Sequence, residues 1–221
     1  MTVADAIKNR SSIRGFKPEA VDQQLLNNIF DTARWSASNC NIQSWLVNVV
    51  SGDTKDELSR RMIAEIAAGK EFYPDFHPGN EGLHGVHRDR QFECAARYYS
   101  TMGIERSDRD ARNALMLKNW SFFGAPHAAF ISVPKYMKDG NMVDVGVYLQ
   151  SLMLLMHEQG IGSVAQGALS FYPGAPKEML NIPEDYGIVV GLSFGYPDED
   201  AQINNAKMDR DPMESHVFFY N

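Results

Sequence analysis

With 221 residues, 44% hydrophobic and 11% aromatic, the chain carries enough apolar side chains for a full core, which excludes a disordered protein. A net charge of −7 excludes nucleic acid or an anionic membrane as the bulk partner, since both need a basic footprint. Two cysteines, Cys40 and Cys94, with no CxxC pair, exclude a disulfide scaffold and point to a reducing cytoplasm.

The N-terminus lacks the order of a signal peptide. The longest apolar stretch, residues 145–156, contains Gln150 and falls short of the roughly 18 residues that a span requires. A soluble, single-domain chain over residues 1–221 is therefore expected.

In chain order, Thr2 and Asp5 form an N-cap pair for a short helix ending near Arg10, and Asp22 opens a second helix with a core stripe of Leu25, Leu26, Ile29, Phe30 and Ala33. The polar string of residues 36–43 is a loop, and residues 45–50 are a strand. Asp53 is placed to cap a helix carrying Leu58, Met62 and Ile66, with Gly69 as its stop. Residues 71–90, with Pro74, Pro78, Gly79, Gly82 and Gly85, suit a long irregular loop or lid.

Residues 92–102 and 107–122 are expected as helices, the second opened by Ser107 and Asp110, and residues 128–133 as a buried strand. Residues 144–159 are apolar almost all round, which suits a core helix or a subunit interface. After Gly160 a glycine-rich turn, a short helix at 177–180 and a strand at 188–194 follow. The apolar run Val217, Phe218, Phe219 and Tyr220 would be a sticky edge if left free, so it is expected to pair with a sheet, its own or a partner's.

Residues 160–165 read G-x-G-x-x-A, with Glu184 downstream, but they follow a helical pattern where a dinucleotide fingerprint must follow a strand. Residues 191–195 read G-x-S-x-G around Ser193, with Asp198 and His216 behind it in hydrolase order. The turn at Tyr196 and Pro197 replaces the helix that such an elbow needs. His77, His84 and His87, with Asp75, Glu81 and Asp89, match no zinc spacing and read as a solvated polar loop, so no metal site is assigned. Cys40 reads as a small filler in its loop.

Arg10, Ser11, Ser12 and Arg14 set two guanidinium groups around two hydroxyls, a combination suited to a phosphate, although a solvated basic patch would look the same. Three further stretches occur in order: residues 38–45, residues 164–169 with Tyr172 and Pro173, and residues 195–198 leading to Asn204, Lys207 and Arg210. Together these resemble the nitroreductase family of FMN-dependent oxidoreductases, in particular its nitrobenzoate-reductase-like members. Residues 122–126 are similar to that family's approach to a core strand.

The resemblance implies an α+β fold: a three-layer α/β/α sandwich around a mixed, mostly antiparallel sheet, with a lid over about residues 71–105 and a dimer-swapped C-terminal arm over about 198–221. It implies a homodimer with FMN at the subunit interface, diffusible NADH or NADPH as reductant, and ping-pong reduction of a nitroaromatic or quinone-like acceptor. Arg10, Ser11, Ser12, Lys207 and Arg210 would hold the phosphate and ribityl side, and Arg14 the pyrimidine edge. Ser38, Asn39, Asn41 and Gln43 would come from the partner chain; Ala165, Gln166 and Gly167 would face the redox-active ring nitrogen, and Asn119 would add to the cofactor site. No side chain is needed as acid, base or nucleophile, because the flavin carries the chemistry. A flavin-binding or flavin-degrading protein and a reductive dehalogenase on the same scaffold are the alternatives, with a serine hydrolase through Ser193 more distant.

Overall fold

The computed structural model describes residues 1–77, 79 and 81–220; Pro78 of the expected lid lies outside the described residues. Two early helices form where local capping dictates. α1 (Val3–Asn9) is opened by a reciprocal capping box between Thr2 and Asp5, and α2 (Gln23–Ala33) by Asp22, whose carboxylate accepts from the Leu25 N–H.

Four strands follow: β1 (Leu46–Ser51), β2 (His127–Pro134), β3 (Gly162–Gln166) and β4 (Tyr186–Gly195). They make one sheet in the order β1-β2-β4-β3, and all three ladders are antiparallel. The parallel element is a single bridge between Ser12 and Ser163, which makes the sheet mixed but mostly antiparallel. β2 is buried along its whole length because helices cover both faces.

Strand alternation divides the core in two. On one face Ala129, Ile131, Val133, Leu192 and Phe194 pack against Leu26 and Ile29 of α2 and against Val145, Tyr148 and Leu152 of α6 (Asp139–Glu158). On the other, Ala128, Phe130 and Ile188 meet Leu58 and Met62 of α3 (Gly52–Ala67) with Trp120 and Tyr172. The expected three-layer sandwich is therefore present.

Several boundaries differ from expectation. Ser51, rather than Asp53, occupies the N-cap of α3, without a side-chain capping bond, and Asp53 sits inside the first turn. The irregular segment after Gly69 ends early, since α4 (Gly85–Thr101) already starts at Gly85. Asp108, not Ser107, caps α5 (Arg109–Leu117), which ends five residues short of Phe122. Residues expected as a glycine-rich turn form β3: Gly160 stops α6 at φ +74°, but Gly162 is extended, and a Cβ there would lie 2.9 Å from the Ile13 Cβ. α7 (Gly174–Met179) falls near its expected place.

Part of the expected lid is firmly docked. Asp75 is bound by Lys135 at 3.0 Å and Lys177 at 3.3 Å, and its other oxygen accepts from the Ile188 N–H at 3.1 Å. That N–H sits where the β2–β4 register slips, so the carboxylate satisfies a donor beside the bulge. The tail does not join this sheet: residues 217–220 have no strand conformation, and Tyr220 is 90% exposed.

His127 ties the start of β2 to the segment before α2. Its Nε2 accepts from the Val21 N–H at 2.9 Å, so the neutral ring keeps its proton on Nδ1 and donates to Ser51 Oγ at 2.5 Å. Burial, and secondarily Lys55, lower its pKa from the ordinary 6.5. A depressed folded value means that the neutral form is preferred on folding; this stabilisation is complete above 6.5 and is lost as pH falls through the folded value. Melting temperatures at pH 7.5, 6 and 5 are expected to fall more steeply for the native chain than for His127→Gln, which does not titrate; parallel slopes would contradict the assignment.

Candidate active site

The N-terminal arm crosses the sheet edge immediately after α1. The Ile13 N–H donates to the Ser163 carbonyl at 3.0 Å, and that of Lys17 to the Tyr196 carbonyl at 2.9 Å. Between them Asn204 acts as a staple. Its Oδ1 accepts from the Arg14 and Gly15 N–H groups at 2.8 and 3.0 Å, while its Nδ2 donates to the Gly15 and Asp198 carbonyls at 2.8 and 2.9 Å. All four bonding positions of one amide thus join chain segments 189 residues apart in sequence. A Cβ on Gly15 would collide with Ala201, so only glycine lets the two segments approach.

This arm carries the cation cluster. Arg10 and Ser11 line a cavity of about 330 Å³ with His157, whose buried Nε2 has no partner among the described residues. Burial, and then the nearby Arg210, push the Arg10 guanidinium below its ordinary value. Arg210 does not line this cavity, and its Nη1 donates to the Met208 and Asp209 carbonyls at 3.0 and 2.9 Å; among the described residues no carboxylate pairs with Arg10. Such a guanidinium suits an anion with several oxygens.

The Arg14 guanidinium lies over the Tyr98 ring at 4.6 Å and faces Phe123 at 5.8 Å. Burial pushes the Tyr98 phenol up to about 12, against the pull of Arg14, so it remains a donor at neutral pH; its oxygen has no partner among the described residues. Arg14, Phe16, Lys118 and Phe123 line a cleft of about 410 Å³. Ser121, Asp198 and Gln202 also line it, so the aromatic faces of Phe16 and Phe123 stand among polar and charged groups that can meet the polar edge of a planar ligand.

Gly167 opens the one-turn helix Gly167–Ser170 directly after β3. Its φ lies outside the left-handed region, and a Cβ there would meet nothing within 4 Å. The chain itself does not require glycine at this position, so the open space is available to something outside it. The polar side chains beside it are already engaged. Ser193 donates to Gln166 Oε1, and Gln166 Nε2 donates to the Asn119 carbonyl at 3.0 Å and to its Oδ1 at 3.2 Å. Only the backbone at 165–167 is left to meet a ligand there.

Residues 38–43 are held elsewhere. The Asn39 N–H donates to Asp144 Oδ1 on α6 at 3.0 Å, Ser38 Oγ accepts from the Gln43 N–H at 3.0 Å, and Gln43 Nε2 donates to the Asn41 carbonyl at 2.9 Å. Cys40, Asn41 and Gln43 all have positive φ, a concentration of backbone strain typical of functional loops. Among the described residues no hydrogen bond or ion pair joins this loop to Arg10 or Arg14. One chain therefore joins Arg10 and Ser11 in one cavity, bridges Ser12 to Ser163 of β3, and binds Gln166 to Asn119, while Arg14 and Arg210 line separate clefts and Ser38, Asn39, Asn41 and Gln43 are held by other bonds.

At Lys207 the backbone carbonyl accepts from Arg97, and the adjoining tail is tied to α4 by Arg97–Asp209 and Arg90–Asp211 pairs. Ser193 sits within a buried strand, paired with Ala128 and Val164, so it is no nucleophile elbow. Among the described residues, no helix is long and apolar enough to cross a membrane. Asn204 and His157 had no assigned role from sequence; Asn204 stood inside a motif, and His157 carried no local signal.

The family model described as "Nitroreductase family" matches residues 7–196. The chain belongs to the nitroreductase family. It is 35% identical over 205 residues to nitroreductase NfnB of Mycolicibacterium smegmatis, covering 92% of this chain and 86% of that protein. It is 28% identical over 213 residues to a 4-nitrobenzoate reductase of Pseudomonas putida, covering 96% and 93%. The crystal structure of the FMN and NADPH-dependent nitroreductase NfnB from sphigopyxis sp. strain HMH superposes with a TM-score of 0.96 at 30% identity over the whole of both chains.

Proposed function

We propose that the protein is an FMN-dependent oxidoreductase that uses NADH or NADPH to reduce nitroaromatic or quinone-like acceptors. The observation that carries this reading is the cavity lined by Arg10 and Ser11, in which the half-buried Arg10 has no carboxylate partner among the described residues and can meet a phosphate. The similar proteins named above support it, being nitroreductases, one of them dependent on FMN and NADPH.

Bound FMN supplies hydride acceptance and donation between nicotinamide and acceptor, which take the same pocket in turn. Arg10 and Arg210, with Lys207, would hold the phosphate, and Ser11 and Ser12 the ribityl side. Nanomolar retention corresponds to about 12 kcal/mol, whereas a hydrogen bond to a charged group contributes about 1.5–3 kcal/mol, so several residues must share the task. Arg14 would place a fixed charge where negative charge accumulates on reduction, and the Gly167 backbone would be the group left to meet the ring.

We assign the functional unit to a homodimer. The α6 face carrying Val143 (65% exposed) and Val147, and the groove lined by Val3, Trp35, Leu154 and Leu155, leave a broad apolar surface bare. β1 is an outer strand of the sheet, and the apolar run at 217–220 is free to extend it in a second copy. Such an assembly brings Ser38, Asn39, Asn41 and Gln43 of one copy to the cofactor of the other. Residues 71–105 act as the lid, and the two exposed free cysteines suit the cytoplasm.

Purified protein is expected to be yellow, dimeric, to release FMN on denaturation, and to oxidise NADPH or NADH only when a nitroaromatic is added. A colourless monomer would overturn the reading. Arg10→Ala is expected to weaken FMN retention about tenfold, the loss of one charged contact. Arg14→Ala should instead slow flavin reduction more than it weakens retention; equal effects of the two variants would contradict the division of roles.

A further inference from the structure

The Ser193 hydroxyl has no part in the roles assigned so far. It is fully buried near the C-terminal end of β4, and its partner is the Gln166 amide oxygen. From there the hydrogen bonds run in one direction. Gln166 Nε2 donates to both oxygens of Asn119, and Asn119 Nδ2 donates to the Met116 carbonyl at 2.9 Å. Reversing the Gln166 amide would set its oxygen against two oxygens, so the orientation is determined.

Gln166 is the last residue of β3, and its peptide bond leads directly into Gly167. With the side chain 97% buried and engaged at both ends of its amide, the residue has little freedom to rotate. The next peptide, Gly167–Ala168, is also held, because Ser170 Oγ donates to the Gly167 carbonyl at 2.8 Å. The bonds converge on a backbone segment whose outer face is open.

We propose that Ser193, acting through Gln166, is a positioning residue that holds the Gln166–Gly167 peptide against the reacting edge of the cofactor. The inference rests on the FMN reading above. Hydride transfer depends steeply on placement, and a displacement of about 1 Å costs up to about 100-fold in rate. Removing the hydroxyl leaves the Gln166 oxygen buried without a donor, so the amide and its peptide gain alternative arrangements.

The test compares the holoenzyme with Ser193→Ala, Ser193→Cys, Gln166→Leu and the Ser193→Ala/Gln166→Leu double variant. Rapid-mixing measurement of flavin reduction by NADPH is expected to show Ser193→Ala slowed about tenfold, ~1.4 kcal/mol in barrier. Ser193→Cys, which keeps a weaker donor, should lie between it and the native rate, and FMN stoichiometry should not change. Because Ser193 acts through Gln166, the double variant should be no slower than Gln166→Leu alone. In the apoprotein, the buried Gln166 side-chain amide of Ser193→Ala should exchange with deuterium about tenfold faster, a loss of local protection of similar size.

Native reduction and exchange rates in Ser193→Ala, additive losses in the double variant, or a lowered melting temperature with neither rate altered would overturn the proposal. Should Ser193→Ala fail to fold, the same comparison on Ser193→Cys decides it. A colourless native protein inert toward NADPH would sink the FMN reading instead, and the exchange measurement would still judge the hydrogen-bond chain.

Discussion

Gly167→Ala is expected to fold normally and to lose most of its flavin chemistry. A methyl group there meets no atom of the chain within 4 Å, and φ lies outside the left-handed region, so neither collision nor strain opposes folding. Restricting the unfolded chain should even add about 0.4–1 kcal/mol of stability. The same methyl group projects into the space proposed for the cofactor ring, where close approach of the backbone matters. With a displacement of about 1 Å, flavin reduction should slow by up to about 100-fold. Calorimetry and rapid-mixing kinetics on one preparation check both halves; a variant that reduces its flavin at the native rate would remove Gly167 from the site.

Gly191→Ala should do the reverse and fail at the level of the fold. A Cβ at Gly191 would lie 2.6 Å from the Cβ of Leu169, in the turn that begins at Gly167, and Leu169 is completely buried. Neither β4 nor the turn can retreat, because β4 is paired on both sides. Overpacking of this kind costs about 1–3 kcal/mol. For a chain of 221 residues each kcal/mol lowers Tm by about 2–4 °C. Thermal unfolding of the apoprotein reads this directly, and an unchanged Tm would show that the turn yields. Two glycine-to-alanine changes near one turn thus separate a residue kept small for a ligand from one kept small for packing.

The starts of α1 and α2 were legible because their caps are local, whereas the caps of α5 and α3 fall on Asp108 and Ser51 rather than on Ser107 and Asp53. Thr2 with Asp5, and Asp22 with Leu25, sit three residues apart, and their bonds require nothing from the rest of the fold. The helix at residues 139–158 was legible in its centre because no other element stays apolar all round. β3 was not legible: its two glycines look like breakers, and Gly162 makes sense only once Ile13 and Pro197 are seen crowding it from distant parts of the chain. The early start of α4 at Gly85 was likewise hidden behind a glycine with positive φ.

By itself the sequence determined the caps of the first two helices, the buried β2 run, the cation cluster at Arg10 to Arg14 and, through ordered motifs, the family. These are properties of short segments, set by side-chain spacing and composition. Only the tertiary structure decided which polar groups remain available at the site. Gln166 and Asn119 proved to be bonded to each other and to Ser193, which turned an apparent nucleophile into a buried donor. It also decided that Asn204 staples Arg14 in place and that Arg210 lies near Arg10. The physical reason is that a hydrogen-bonding group can be spent only on partners within about 3.5 Å, and for these groups the partners lie far away along the chain.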